Sequence, residues 1–533
     1  MSNKPRTRKL AAFAAGATVI LGASGAFAAA PGASQGPTTS TDPYVIPIDA
    51  AKVQITSLLT VDEAQTNAPN YVVAGIPDGM GTFADGTGSY TLLSNHELGA
   101  TVGAVRSTGQ KGAFVSRFTI DPSTLAVSAG ADLIPNAAAL DYSGTPATAF
   151  GRFCSGDLAE SEELYNTVSG NGYNGKIFFA GEETGLEGRL VGHDAVTGDA
   201  KVLTAPGWMS WENFVLANTA TSDTVLGFGA NDSSAAGQNF NLLYVGTKTN
   251  TGSKWDKAGL TNGTRYAPKM ASVTTDAAYR TTYGKNNPQP FTLVAVTGAT
   301  GTALQANALA QGALGMDRTE DGAWDPTNPN DFYYVTTGTT NAALPGRGGL
   351  WRMRWVDRTN PTLGGSLELL ADGLEAAPMY MPDNMTVDAS GHVLIQEDPG
   401  GNNYIARIWA YDIATKALAP IATFDPAKFT PATPGFITND EESSGIIEAP
   451  SAFGANTYLF NAQVHSATGL SNAATQVERG QYMTMKVDWT KVFPTAPPVE
   501  IPEVPFSVLL PLSAAVLGGG MVMIRRRRTA PIA

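Results

Sequence analysis

Acidic residues in this chain gather where strand-like runs end. Tyr90–Ser94 runs into Asn95-His96-Glu97, and Lys176–Ala180 into Gly181-Glu182-Glu183. Met316-Asp317-Arg318-Thr319-Glu320-Asp321 stands just ahead of the run Asp331–Thr336. Met381-Pro382-Asp383-Asn384 precedes His392–Gln396, which continues into Glu397-Asp398. If these ends converge, repulsion among the carboxylates is severe unless cations lie between them. Carboxylate oxygens are ligands for hard cations such as Ca²⁺, although any single pair reads as a solvated turn. The one cysteine, Cys154 in Arg152-Phe153-Cys154-Ser155-Gly156-Asp157, excludes an internal disulfide. It is a buried inert thiol, a reactive one or a metal ligand.

Other motifs fail on context. Gly170-Asn171-Gly172-Tyr173-Asn174-Gly175 fits G-x-G-x-x-G, and with Lys176 it nearly fits a P-loop, but Ile177 stands where Ser or Thr would bind Mg²⁺. Both motifs need the glycines after a strand and before a helix, and here they precede a strand-like run. There is no G-x-S-x-G nucleophile elbow. His96-Glu97 does not extend to H-E-x-x-H, and four histidines make a histidine-rich zinc site a poor reading.

The elements that would position these residues are short strands. Helical periodicity is scarce and glycine frequent, at 58 residues. Runs such as Ala113–Ile120, Leu242–Thr247, Gly349–Trp355 and Arg407–Tyr411 are rich in β-branched or aromatic residues and bounded by turn formers. Three of them lead through Asp121, Asp194 and Asp412 into a short polar turn and a returning run, the outer hairpin of a propeller blade. The pattern predicts an all-β fold, a β-propeller of about six blades over residues 46–492, with a pair of β-sandwiches as the alternative. In a propeller the strand ends meet at the central channel, which is where clustered carboxylates would find one another. Residues 31–45 and 493–503, rich in Pro, Ser and Thr, read as linkers.

The ends of the chain point to export. Lys4, Arg6, Arg8 and Lys9 precede an apolar run over 11–25 and the small-x-small exit Ala26-Phe27-Ala28, so residues 1–30 read as a secretory signal peptide. Arg6 and Arg8 are not adjacent, which favours the general secretory route over twin-arginine export. Residues 504–528 combine an apolar stretch with Arg525–Arg528, either a membrane span with its body outside or a sorting signal that is removed. The expected location is the extracellular face, anchored to membrane or cell wall. Without residues 1–30 and 501–533 the body holds 26 basic and 46 acidic residues, a net of about −20. Such a surface excludes nucleic acid as a partner and suits cations.

Asn95-His96-Glu97, Arg318-Thr319-Glu320-Asp321-Gly322-Ala323-Trp324-Asp325-Pro326, Phe332-Tyr333-Tyr334-Val335-Thr336-Thr337, Gly348-Gly349-Leu350-Trp351-Arg352, Pro382-Asp383-Asn384-Met385-Thr386-Val387 and Gln396-Glu397-Asp398 resemble, in this order, the PhoX family of alkaline phosphatases. The resemblance spans roughly Val53 to His465. It implies a six-bladed propeller that hydrolyses phosphate monoesters outside the cell at a cluster of two Fe³⁺ and several Ca²⁺ ions. By motif it makes Glu97, Glu183, Glu320 and Glu397 metal ligands, with Asp383 and Asp398 as weaker carry-overs. Arg318 would contact phosphate oxygens or pair with a local acid. Asn439–Ile446 and Tyr458–His465 resemble a further acidic blade with possible calcium ligands.

Two departures qualify the expectation. The family pattern carries a cysteine directly before the Glu-Glu pair, where this chain has Gly181, so Cys154 is the only thiolate available to iron. Members of the family typically leave the cell folded by the twin-arginine route, whereas folding outside favours Ca²⁺ over Fe³⁺. Two further readings stand beside the phosphatase: a non-enzymatic calcium-binding surface propeller, and a phytase-like phosphatase using calcium alone. A Cys154 that points into the acidic cluster favours the phosphatase, one buried far from it favours the non-enzymatic propeller, and the calcium-only enzyme gives Cys154 no part in catalysis.

Overall fold

The computed structural model describes residues 30–63, 71–233, 239–338 and 348–494. The expected signal peptide, save its last residue, the expected linker beyond residue 494 and the C-terminal apolar segment lie outside the described residues. Among those described, no helix is long and apolar enough to cross a membrane.

Strands dominate, arranged as antiparallel meanders in a propeller-like fold. Four sheets contain four or five strands each, and one contains nine. The nine-stranded sheet consists of two meanders joined edge to edge where Gln289–Ala295 pairs with Gly365–Ala371. The innermost strand of each meander is β1 (Pro77–Ala84), β2 (Phe153–Ala159), β3 (Trp211–Leu216), β4 (Thr319–Trp324), β5 (Pro382–Val387) and β6 (Glu441–Glu448). Each neighbours the next, and β6 returns to β1, so the six line one axis. The ring is closed by the N-terminal strand Val53–Thr60, which pairs antiparallel with Arg479–Val487.

Stacked meanders bury both faces of their middle strands, so these read as continuous apolar runs rather than alternating ones. Ile177-Phe178-Phe179-Ala180 is wholly buried, as are Phe332-Tyr333-Tyr334-Val335. The three Asp-initiated turns join third strands to fourth strands. In each, the carbonyl of the Asp accepts from the N–H four residues on, Leu125, Gly198 and Lys416, all at 2.8 Å. Those three residues are left-handed, with φ of 62°, 79° and 61°.

Residues 31–45 are not a linker. Ala33–Gln35 pairs parallel with Ile55, Thr56 and Ser57, Val45–Pro47 pairs with the strand Leu418–Phe424, and Tyr44 is 2 % exposed. The partner of Val45–Pro47 lies far along the chain, so local composition carried no trace of it.

Close approach of β1 to β2 depends on Gly79. A Cβ there would stand 1.9 Å from the Gly156 nitrogen and 2.4 Å from the Ser155 carbonyl carbon. Backbone cannot move aside as a side chain can. Gly79→Ala is therefore expected to destabilise the fold by about 3 kcal/mol, at the upper end for overpacking, as read by thermal unfolding. Unchanged thermal stability would show that the two strands can separate there.

Candidate metal centre

The innermost strands repeat one local design. Four begin with a register shift, at Pro77/Met80 in β1, Trp211/Phe214 in β3, Thr319/Gly322 in β4 and Pro382/Met385 in β5, and in β6 the shift comes later, at Ser444/Ile446. In β2 the shift falls between Gly156 and Phe153, opposite Ala180/Glu182. A bulge breaks the strict up-down alternation and re-aims a side chain. The second residue of each strand is Asp78, Cys154, Glu212, Glu320, Asp383 and Glu442 in turn, all buried. Five carboxyls and a thiol thus occupy equivalent positions around the axis.

A second tier comes from the strand next to each innermost one. The residue that follows it is Glu97, Glu183, Asp232, Thr337, Asp398 or His465. The backbone N–H of each donates to the residue just before the innermost strand of the same meander, at 2.9 to 3.1 Å: Ile76, Arg152, Ser210, Arg318, Met381 and Asp440. Four of these acceptor residues, Ile76, Arg152, Arg318 and Met381, hold φ between 43° and 59°, a strained conformation for side chains this large. Both arginines at the mouth therefore project from the same position, two meanders apart.

Amides and a hydroxyl tie one meander to the next beneath this rim. Asn95 Nδ2 donates to the Cys154 carbonyl at 2.7 Å and Thr337 Oγ1 to the Pro382 carbonyl at 2.9 Å. Gln396 Nε2 donates to the Ser444 carbonyl at 3.3 Å, and Asn461 Nδ2 to the Asp78 carbonyl at 2.7 Å.

Three overlapping triads have ligand atoms within 4.8 Å of one another: Asp78, Glu97 and Cys154; Cys154, Glu183 and Glu212; Glu212, Glu320 and Asp383. Cys154 belongs to the first two and Glu212 to the last two. The Cys154 thiol donates to Asp78 Oδ2 at 3.3 Å, so it points into the cluster. Burial, reinforced by neighbouring carboxylates, pushes Asp78, Glu212, Glu320 and Asp383 well above the usual carboxyl range, and Glu183 up to about 8. The thiol is pushed up for the same reasons, burial first and then Asp78.

Cations answer part of this charge. Arg152 bridges Glu97, at 2.6 Å, and Glu183. Arg318 grips Asp232 with Nε at 2.8 Å and Nη2 at 2.6 Å, and stands 3.4 Å from Glu320. His465 lies 2.7 Å from Glu478 and 3.7 Å from Glu442, and carboxylates on both sides push it up to about 11, against burial. The remaining excess of acid fits a cation set. Asp383 Oδ1 is buried and accepts no hydrogen bond, and Glu320 Oε1, also buried, has only the ion pair with Arg318 Nη2 at 3.4 Å. Hard carboxylate oxygens suit Ca²⁺, and a thiolate at the centre of the arc suits a softer transition metal.

Of the residues expected from the sequence, Glu97, Cys154, Glu183, Glu320 and Asp383 are brought together, with Arg318 beside them. Asp398 occupies the second-tier position of its meander; burial first, then Glu442, raises it to about 7, but it joins none of the triads. Glu397 is turned elsewhere. Its oxygens accept from Tyr380 N, Tyr404 Oη, Arg407 N and Trp409 Nε1, which fasten its own meander. The reason is strand alternation: Glu397 is the last residue of its strand, as Glu182 is of another, and Glu182 likewise faces away and pairs with Arg189. Glu442 and His465 fall in the two segments expected to supply further calcium ligands, whereas Asp78, Glu212, Asp232 and Arg152 escaped the sequence reading. For Asp78 and Glu212 the signal was present at the beginnings of their strands, Pro77-Asp78-Gly79 and Trp211-Glu212-Asn213, which resemble Thr319-Glu320-Asp321 and Pro382-Asp383-Asn384.

No family model and no curated protein matches the chain. Among solved structures, PhoX of Pseudomonas fluorescens, in complex with vanadate described as a transition-state analogue, superposes with a TM-score of 0.54. The match has 14 % identity and covers 82 % of this chain and 95 % of that one. An α-L-arabinofuranosidase of Fusarium graminearum gives 0.42 at 7 % identity, over 84 % of this chain and 98 % of that one. A gluconolactonase of Xanthomonas campestris gives 0.32 at 10 % identity, over 81 % and 100 %. The first likeness establishes a propeller-like fold shared with PhoX.

Proposed function

We propose that the protein is a metal-dependent phosphomonoesterase of PhoX type, a six-bladed propeller acting on phosphate esters outside the cell. The observation that carries this reading is the arc of three triads sharing Cys154 and Glu212, with two arginines at its edge. Cys154 within the arc favours the phosphatase over a propeller that binds calcium for stability alone.

In this reading Asp78, Glu97, Cys154, Glu183, Glu212, Glu320 and Asp383 would hold the metals, Ca²⁺ together with Fe³⁺. Bound there, such cations supply Lewis acidity toward phosphoryl oxygens and acidify water. The chain's own residues do the positioning. Asp232 clamps the Arg318 guanidinium at Nε and Nη2, so its charge is fixed beside Glu320 before a substrate arrives. A preorganised charge of this kind stabilises the charge that develops on a transferring phosphoryl group. Arg152, about half exposed, offers a second cation from the equivalent position and anchors Glu97 and Glu183 at once. No serine or other protein nucleophile is required. The acidic body disfavours polyanions as substrates and leaves small monoesters as the fitting class.

Hydrolysis of p-nitrophenyl phosphate by the protein supplied with calcium and iron tests the reading. Turnover is expected to vanish on chelation, return with metal, and fall by roughly 100-fold or more in Glu320→Gln, the loss expected when a metal-site group is removed. A folded, metal-loaded sample without turnover would overturn it in favour of a non-catalytic calcium-binding propeller.

A further inference from the structure

Outside the acidic arc, one buried cation is left half satisfied. Arg106 lies between the strands Tyr90–His96 and Phe114–Ile120 of the first meander. Its guanidinium lies over Phe114, with Cζ 3.6 Å from the ring centroid, and Phe114 is stacked on His96 at 4.4 Å. The side chain is 8 % exposed. Nη1 reaches Asp132 at 3.5 Å, but Nε and Nη2 are buried and donate to nothing. Those two groups form one edge of the planar guanidinium, the edge whose parallel N–H bonds grip an anion from the side.

Arg106 lines a cavity of about 20 Å³, room for one small body. Phe114, Leu140, Phe150 and Phe153 form the apolar part of its wall, and Ser107, Thr108, Gln110, Lys111, Asp132 and Tyr142 the polar part. Asp132 answers the charge of Arg106, and Lys111 adds a further positive charge at the same cavity. A small anion there would accept both N–H bonds and balance the positive charge that Arg106 and Lys111 together hold against the single carboxylate Asp132. Phosphate and organic acids are too large for the space.

We propose that this cavity binds a small monovalent anion of halide size between Nε and Nη2 of Arg106. Occupied, it holds the guanidinium in place over Phe114, which is stacked on His96, and so braces the strand leading to Glu97. The site is separate from the acidic arc and does not depend on the phosphatase reading.

Crystals of the full protein grown without halide and soaked in bromide test it. An anomalous peak within hydrogen-bonding distance of both Arg106 nitrogens is expected, and an ordered water without anomalous signal would overturn the proposal. In solution, the chloride NMR line broadened by the native protein is expected to lose at least nine-tenths of that broadening in Arg106→Gln. Undiminished broadening would also overturn it. Should Arg106→Gln fail to fold, Leu140→Phe, which fills the cavity from its apolar lining, is expected to abolish the bromide peak, and a persisting peak would overturn the proposal.

Discussion

Glu212→Gln is expected to strip the protein of most of its metal and to lower phosphatase turnover by roughly 1000-fold or more. Groups that only orient a metal ligand are worth about 10–100-fold, and Glu212 is placed to do more than orient. Its carboxylate is the member common to two triads, so its loss weakens both together. Asp383 lies at one end of the same arc and belongs to a single triad, so Asp383→Asn should lose fewer metal ions per protein than Glu212→Gln. Elemental analysis of the purified variants, paired with p-nitrophenyl phosphate turnover, checks the order. Glu212→Gln that retained the native metal content would show that the triads are occupied independently, and the shared-ligand arrangement would fall. Gln is the appropriate replacement because it keeps the volume and the hydrogen-bond reach to Ser155, whose Oγ now donates to Glu212 Oε1 at 2.6 Å.

Metal removal should also make stability fall more steeply with rising pH. Burial raises Glu183 from the usual 4.5 to about 8, and Glu441 likewise to about 8. A carboxyl raised in the folded state gives stability that is complete below its unfolded pKa and is lost as pH climbs through the folded value. His465, raised to about 11, acts in the same direction above its unfolded pKa of 6.5. His96 and His193 oppose this lower down, because burial lowers them to about 3 and about 4, so their stabilisation is gained as pH rises toward 6.5. Above pH 6.5 they contribute no further change. Each raised group costs the folded state roughly 1.4 kcal/mol for every tenfold fall in proton activity between its two pKa values. Chelated protein is therefore expected to lose about 5–10 °C in Tm between pH 6.5 and pH 8. Metal-loaded protein should lose less over that interval, since cations replace the proton on Glu183 and its neighbours in the triads while Glu441 and His465 still titrate. Calorimetric scans across the interval decide the matter. A chelated form that was equally stable at both limits would mean that the buried carboxyls are compensated by the chain alone.

How much of this could be read beforehand differs from residue to residue. Glu97 and Glu183 were legible because each follows an apolar run, so the strand's end and the acid beyond it are adjacent in sequence. Glu397 and Asp398 follow a run in the same manner, yet a one-residue difference in where the strand stops decides which of them faces the axis. That boundary is fixed by the pairing of Asp398 N–H with Met381 O, a contact between two strands. Asp78 and Glu212 lie at strand beginnings, inside short bulges whose existence depends on a partner strand. Arg152 looked like an ordinary neighbour of Cys154, and only the fold shows it occupying the same left-handed position as Arg318.

The sequence by itself determined the strand-rich character of the chain, the Asp-initiated outer turns, the acidity of the body and the isolation of a single thiol. These follow from local side-chain chemistry and from periodicity within a few residues. Tertiary structure alone decided that six innermost strands present equivalent second residues to one axis, that Cys154 and Glu212 are shared between neighbouring triads, and that residues 31–45 belong to the sheets. Each of these depends on strands distant in sequence pairing in one register, and a shift of one residue would turn every side chain on the strand to its other face.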